Sequence, residues 1–357
     1  MATVRSRPVG PVLGVFLAFV ATLVASVGLR IPASAGPNAL PNGRIVFVQH
    51  NWRQNTRTVF LVDPDGTDLE ALSSWRSEFL QPRWSPDGTE INISGDGCGV
   101  IEQSNCATAI ADPDSGDYRW IPADPVFSAC TDCDWEGFFC SVWSPDGSLL
   151  ACSGASGSDP TRSGIYTVRS SDGGDLTMIL PFDPLQHWHD FPSPKDFSPD
   201  GQQILYVQAA GDQRSGLFVV NLDGTERQRI TPLGMLWDHD MEATFSPTGE
   251  WILFTAFPDE DHRRDIFLVR PDGTGFHEAF TECGGRWTDP GSFGCGMASW
   301  SPDGTRIMYV RNHGTMSNIV TANRRANPSG IDLRVVLHGE GSILPEFPDW
   351  GSHPLVP

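Results

Sequence analysis

Basic residues are scarce in this chain: 24 Lys and Arg stand against 44 Asp and Glu in 357 residues, a formal net charge of −20. Nucleic-acid binding needs a basic face that displaces counterions, so that class is excluded. Long apolar runs are almost absent. Val12 to Leu29 is the one uncharged, mostly apolar run, at the lower limit of length for a bilayer span. No Cys follows it to take a lipid, and Arg5-Ser6-Arg7 is not a twin-Arg pair. A G-x-S-x-G nucleophile elbow is missing as well, which argues against an α/β-hydrolase.

What is present begins with an address. Arg5 and Arg7 precede the apolar run, and Ala33-Ser34-Ala35 ends it in the small-residue pattern of a secretory signal peptide. The expected organisation is a signal peptide over residues 1–35, a short lead over 36–41 and one domain over 42–354. Residues 1–35 carry three Arg and no acid, so the mature chain is more acidic still. It is expected to be secreted, periplasmic or held in the cell envelope, with no membrane span after cleavage. Gly and Pro number 37 and 29, below the share that marks a disordered chain, while 20 Phe and 12 Trp supply core material. Eight Cys in an exported chain point to disulfides.

The domain is a repeat. Trp84-Ser85-Pro86-Asp87-Gly88, Trp143-Ser144-Pro145-Asp146-Gly147, Phe197-Ser198-Pro199-Asp200-Gly201, Phe245-Ser246-Pro247-Thr248-Gly249 and Trp300-Ser301-Pro302-Asp303-Gly304 each precede an alternating apolar strand. A second hairpin signal recurs six times, around Gly66, Gly116, Gly173, Gly224, Gly273 and Gly330, the last five each following a motif. A period near 50 with four strands per unit, A to D, predicts a propeller blade. Six C–D hairpins meet only five A–B motifs. The missing one is split: Gly43 to Val48 reads as a B strand and Pro348 to Ser352 as an A strand. The fold expected is all-β, a six-bladed propeller whose C-terminal strand joins the N-terminal blade and so removes open sheet edges.

On these motifs the chain resembles the TolB family of WD-repeat-like β-propellers, a propeller that also occurs in prolyl-oligopeptidase-type enzymes. The likeness covers residues 42–354. It includes neither the TolB N-terminal α/β domain nor a peptidase domain, so family partners and peptidase chemistry are not carried over.

In such a ring the D–A and B–C loops share one face. Six of the nine His fall there: His50, His187, His189, His239, His262 and His313. His187-Trp188-His189-Asp190 precedes blade four, and Trp237-Asp238-His239-Asp240-Met241-Glu242 precedes blade five. His187, His189 and His239 are the metal-ligand candidates, for Ca²⁺, Mn²⁺ or Zn²⁺. Oligogalacturonate lyases are TolB-like propellers that hold a metal by His at this mouth, but no ligand here matches theirs one to one. Loop capping is the plainer role for the same residues. Asp63 to Asp68 resembles the start of an EF-hand loop but lacks its closing Glu, and reads as a hairpin turn.

Cys98–Cys106 and Cys283–Cys295 are the expected pairs. Cys130, Cys133, Cys140 and Cys152 leave three connectivities open. The leading reading is a non-catalytic binding module for a protein, peptide or glycan, acting as a monomer. Trp188, Asp190, Trp237, Asp238, Asp240 and Glu242 are its candidate contacts. The acids favour a basic partner or a cation, and the aromatics suit sugar stacking or partner pockets. The alternative is a metal-dependent lyase or hydrolase acting on a polysaccharide or peptide at the same mouth.

Overall fold

The computed structural model describes residues 42–54, 56–75, 81–94, 108–121, 137–156, 159–182, 192–208, 216–232, 242–256, 264–280, 283, 294–313, 315–323, 332–341 and 343–352. Residues 1–41, which include the expected signal peptide and the lead, lie outside them.

Six four-stranded antiparallel sheets form a ring, and the only helix among the described residues is a 3₁₀ turn at Pro160–Arg162. Strand A of blades two to six is Gln81–Trp84, Gly137–Trp143, Pro192–Phe197, Ala243–Phe245 and Gly294–Trp300. Blade one takes its A strand, Ile343–Trp350, from the C-terminal end. Its B, C and D strands are Ile45–Asn51, Thr56–Val62 and Glu70–Trp75.

The A–B turn repeats because its hydrogen bonds are local. In blade two Ser85 N donates to Glu90 O at 2.8 Å and Gly88 N to Ser85 O at 2.9 Å. Asp87 Oδ1 accepts Ser85 Oγ at 2.7 Å and Thr89 N at 3.1 Å. Gly88 has φ 72°, which suits glycine. Each turn also touches the next: a Cβ on Gly201 would meet Pro145 Cδ at 3.7 Å, and one on Gly304 would meet Pro247 Cδ at 3.5 Å. In the C–D hairpins Gly66, Gly116, Gly173, Gly224 and Gly273 all have positive φ, while Gly330 lies outside the described residues. Asp65 Oδ1 accepts Thr67 N at 3.0 Å, so the Asp63 segment is a plain hairpin.

B strands are apolar on both faces because each blade is packed between two others. Ile45 and Phe47 face blade six, where they meet Met308 and Ile319. Val46 and Val48 face blade two, against Trp84 and Ile91. The core is therefore a set of inter-blade layers.

The ring closes as the split motif predicts. Ile45 pairs with Trp350, Trp350 Nε1 donates to Gly43 O at 2.9 Å, and Gly43 N donates to Gly351 O at 2.9 Å. Asn42 Nδ2 reaches Asp303 Oδ2 at 2.9 Å and ties the start of the domain to blade six. One residue pair, Glu340 with Ile343, joins the sheets of blades six and one.

Candidate functional site in the central channel

The A strands are innermost, and the residue just before each motif aromatic lines the channel. Going from blade two to blade one these are Arg83, Val142, Asp196, Thr244, Ser299 and Asp349. With the motif aromatics and prolines they surround a cavity of about 280 Å³ at the A–B-turn end of the channel.

Arg83 is the centre of its polar side. The guanidinium Nη1 is 3.3 Å from Asp349 Oδ1, and Nη2 binds Glu242 Oε2. Arg83 belongs to blade two and Glu242 to the start of blade five, opposite each other in a six-membered ring. The pair therefore crosses the channel. Burial works against the Arg83 charge, but Glu242, Asp349 and Asp196 outweigh it and push the guanidinium pKa up.

The two aspartates at this position make the same inter-blade bond. Asp349 Oδ2 accepts Trp84 N at 2.8 Å, from blade one to blade two. Asp196 Oδ2 accepts Phe245 N at 2.7 Å and Thr244 Oγ1 at 2.8 Å, from blade four to blade five. Burial pushes the Asp196 carboxyl up to about 6 despite these donors and the nearby Arg83.

Lys195 is the only lysine in the chain. It sits where the pairing of strand A with strand B slips between Pro194 and Asp196, lines the cavity and is 6% exposed. Its singularity was a signal available in the sequence. Arg83, Asp196, Ser299 and Asp349 carried a weaker one, their shared register position before the motif aromatic.

Of the loop candidates, His187, Trp188, His189, Asp190, Trp237, Asp238, His239 and Asp240 lie outside the described residues. Glu242 is described: it is buried and holds Arg83. His50 is also buried, with Nδ1 3.2 Å from Arg57 Nη2 and 3.4 Å from Glu346 Oε1. Among the described residues no group of three or more His, Cys, Asp or Glu is arranged to hold a metal, and no helix is long and apolar enough to cross a membrane.

Cys283 and Cys295 form the expected disulfide. Cys140 and Cys152 form another, across the A and B strands of blade three, which selects among the three connectivities. Cys98, Cys106, Cys130 and Cys133 lie outside the described residues.

No family model matches the chain, and no curated protein matches it. Solved structures do. TolB from Acinetobacter baumannii superposes with a TM-score of 0.63 at 16% identity, covering 87% of this chain and 68% of that one. A putative TolB from Agrobacterium tumefaciens gives 0.54 at 18% identity, covering 87% and 99%. Hydrazine synthase from Kuenenia stuttgartiensis gives 0.55 at 13% identity over 91% of this chain and 51% of that one. At these identities the likeness is one of fold. The chain has the six-bladed β-propeller fold of TolB and its structural relatives.

Proposed function

We propose that this protein is an exported, non-catalytic propeller that binds a protein, peptide or glycan through its D–A and B–C loop face. The observation that carries this reading is the unequal length of the connections at the two ends of blades two to five, where the D–A and B–C connections are the longer ones. The A–B connection of blade two spans residues 85–90, whereas its B–C connection spans 95–107 and the D–A connection after it spans 122–136. Long connections on a rigid scaffold are where recognition is built. The Cys283–Cys295 disulfide pins one such D–A connection to the first residues of strand A in blade six, and a preorganised loop loses less entropy on binding. The channel acids, meanwhile, are engaged in holding blades together. Two disulfides fit an oxidising compartment.

The experiment is capture of envelope and secreted material on immobilised protein, with and without Asp238→Lys and Asp240→Lys. The reading expects a defined partner whose capture falls at least tenfold in the double variant. Stoichiometric divalent metal in protein purified without chelator, released by His189→Ala with His239→Ala, would overturn it in favour of the metal-dependent enzyme.

A further inference from the structure

Asn42-Gly43 is the one Asn-Gly step in the chain. Asparagine is among the thermolabile residues, and a following glycine makes it reactive, because no Cβ shields the glycine amide nitrogen. The chemistry is intramolecular. The Gly43 nitrogen gives its proton to water and attacks Asn42 Cγ. A C–N bond forms, the Cγ–Nδ2 bond breaks, and Nδ2 takes a proton from water and leaves as ammonia. Water then opens the five-membered imide at either carbonyl, to aspartate or isoaspartate. In sum, one amide and one water give one carboxylic acid and one ammonia.

This step lies at the seam of the ring, and both reacting groups are engaged there. Gly43 is buried, and its N donates to Gly351 O at 2.9 Å, which ties the nucleophile to the closing strand. Gly43 O accepts Trp350 Nε1 at 2.9 Å. Asn42 Nδ2 donates to Asp303 Oδ2 at 2.9 Å, and Asn42 Oδ1 accepts Asp303 N at 3.2 Å, so blade six holds the carboxamide at both ends. With the seam closed, Gly43 N reaches Cγ only by breaking bonds to both neighbours. Local opening of the seam, of the kind native proteins undergo without global unfolding, frees both groups.

The product does not fit back. Asp303 Oδ2 accepts a hydrogen from Asn42, and a carboxylate at position 42 has none to give. Burial raises the Asp303 carboxyl, but bonds from Ser301, Thr305 and Asn42 outweigh it and hold the group below its ordinary value, so it is ionised at neutral pH. After conversion two carboxylates face each other at the seam, and like charges so placed repel.

We propose that Asn42-Gly43 is a spontaneous deamidation site gated by ring closure. Conversion requires an open seam, and its product opposes closing, so the change runs one way and loosens the ring. This site is independent of the loop face, and either can fail without the other.

Aging of the full chain in neutral buffer, with peptide mapping that separates asparagine, aspartate and isoaspartate at position 42, reads the reaction directly. Conversion in the folded protein should be about tenfold slower or more than in denaturing urea. Asp303→Thr releases Asn42 Nδ2 and places there the residue that blade five carries as Thr248, so the turn remains one that the ring already uses. It should speed conversion of the folded protein about fivefold. Asn42→Asp reproduces one product, and Asn42→Ser removes the carboxamide without adding a charge. The urea midpoint should fall further for Asn42→Asp than for Asn42→Ser, and salt should shrink the difference, because a clash of charges is screened. No conversion at Asn42 in urea, equal rates with and without urea, an unchanged rate in folded Asp303→Thr, or an Asn42→Asp protein as stable as Asn42→Ser would each overturn the proposal.

Discussion

Arg83 and Glu242 are 159 residues apart in sequence and form an ion pair across the central channel. The guanidinium leaves blade two, takes Asp349 of blade one on the way and ends on a carboxylate of blade five. Three blades are thereby tied at one buried charge.

Removing one member of such a group strands the others in a poorly solvated place, which costs about 3 kcal/mol or more. Glu242→Gln should lower stability in urea by less than that, because Asp349 still holds Arg83. Arg83→Met should cost more, since it leaves Glu242 and Asp349 both without their cation. An Arg83→Met protein as stable as wild type would show that the crossing pair contributes nothing to the ring.

Closure gives a sharper contrast. A Cβ on Gly351 would lie 2.3 Å from Trp84 Cγ, so the last strand can seat against blade two only with glycine there. Gly351→Ala should lose about 2 kcal/mol through forced displacement of the indole. Gly294→Ala, where nothing lies within 4 Å of the added carbon, should stay within about 0.5 kcal/mol of wild type. Thermal melts of the two variants side by side check this. Equal losses would mean that the C-terminal strand does not bear on Trp84 as described.

These relationships mark how far the sequence could be read. The turn motifs were legible because their bonds span five residues, and ring closure was legible because half a motif at each terminus demands its complement. Arg83–Glu242 was not legible. Nothing local singles out Arg83, and among the acids of the D–A loops Glu242 differs only in standing one residue before a strand (Ala243–Phe245). A pair across a ring depends on blade count and register together. Lys195 was visible as a composition fact, but its burial depends on the register slip in strand A that turns it into the channel.

The motif of blade five carries its own test. Thr248 stands where Asp87, Asp146, Asp200 and Asp303 stand in the other turns, and Ser246 Oγ meets Thr248 Oγ1 at 3.3 Å where Ser198 Oγ meets Asp200 Oδ1 at 2.5 Å. Thr248→Asp should add a carboxylate acceptor for Ser246 Oγ and for the amide two residues on, raising stability by about 0.5 kcal/mol. Glu250 nearby keeps the gain small. A fall in the urea midpoint would show that the turn tolerates no second acid.

Stability should depend on pH in two opposed steps. The Ser144 hydroxyl and the Ser148 amide hold the Asp146 carboxyl below its ordinary value, and the Ser198 hydroxyl does the same for Asp200. A depressed carboxylate stabilises the fold above its unfolded pKa and loses that contribution as pH falls through the folded value, so these turns weaken below about pH 4. Asp196 runs the other way. Burial raises it to about 6, so its ionised form opposes folding at neutral pH, and protonation between about pH 7 and 4 relieves a penalty on the order of 3 kcal/mol. The urea midpoint should rise from pH 7.5 to about 5 and drop below 4. Asp196→Asn should remove the rise and keep the drop. A rise of equal size in that variant would assign it to another group.

The two disulfides should differ in how easily they are reached. Cys140 and Cys152 are both fully buried between the A and B strands of blade three, so dithiothreitol must wait for that hairpin to open. Cys283 is only partly buried at the edge of the blade six cluster, while Cys295 is 1% exposed, so this bond should be reduced first under native conditions. Its two cysteines are 12 residues apart. Reduction, or Cys283→Ser with Cys295→Ser, should cost about 2–3 kcal/mol through the freed loop entropy. It should also admit protease between those positions while the other blades stay intact. Peptide mapping after a timed reduction, with alkylation of the released thiols, gives the order directly. Release of Cys140 and Cys152 before Cys283 and Cys295 would mean that blade three opens more readily than the D–A connection before blade six, which is contrary to the burial of its strands.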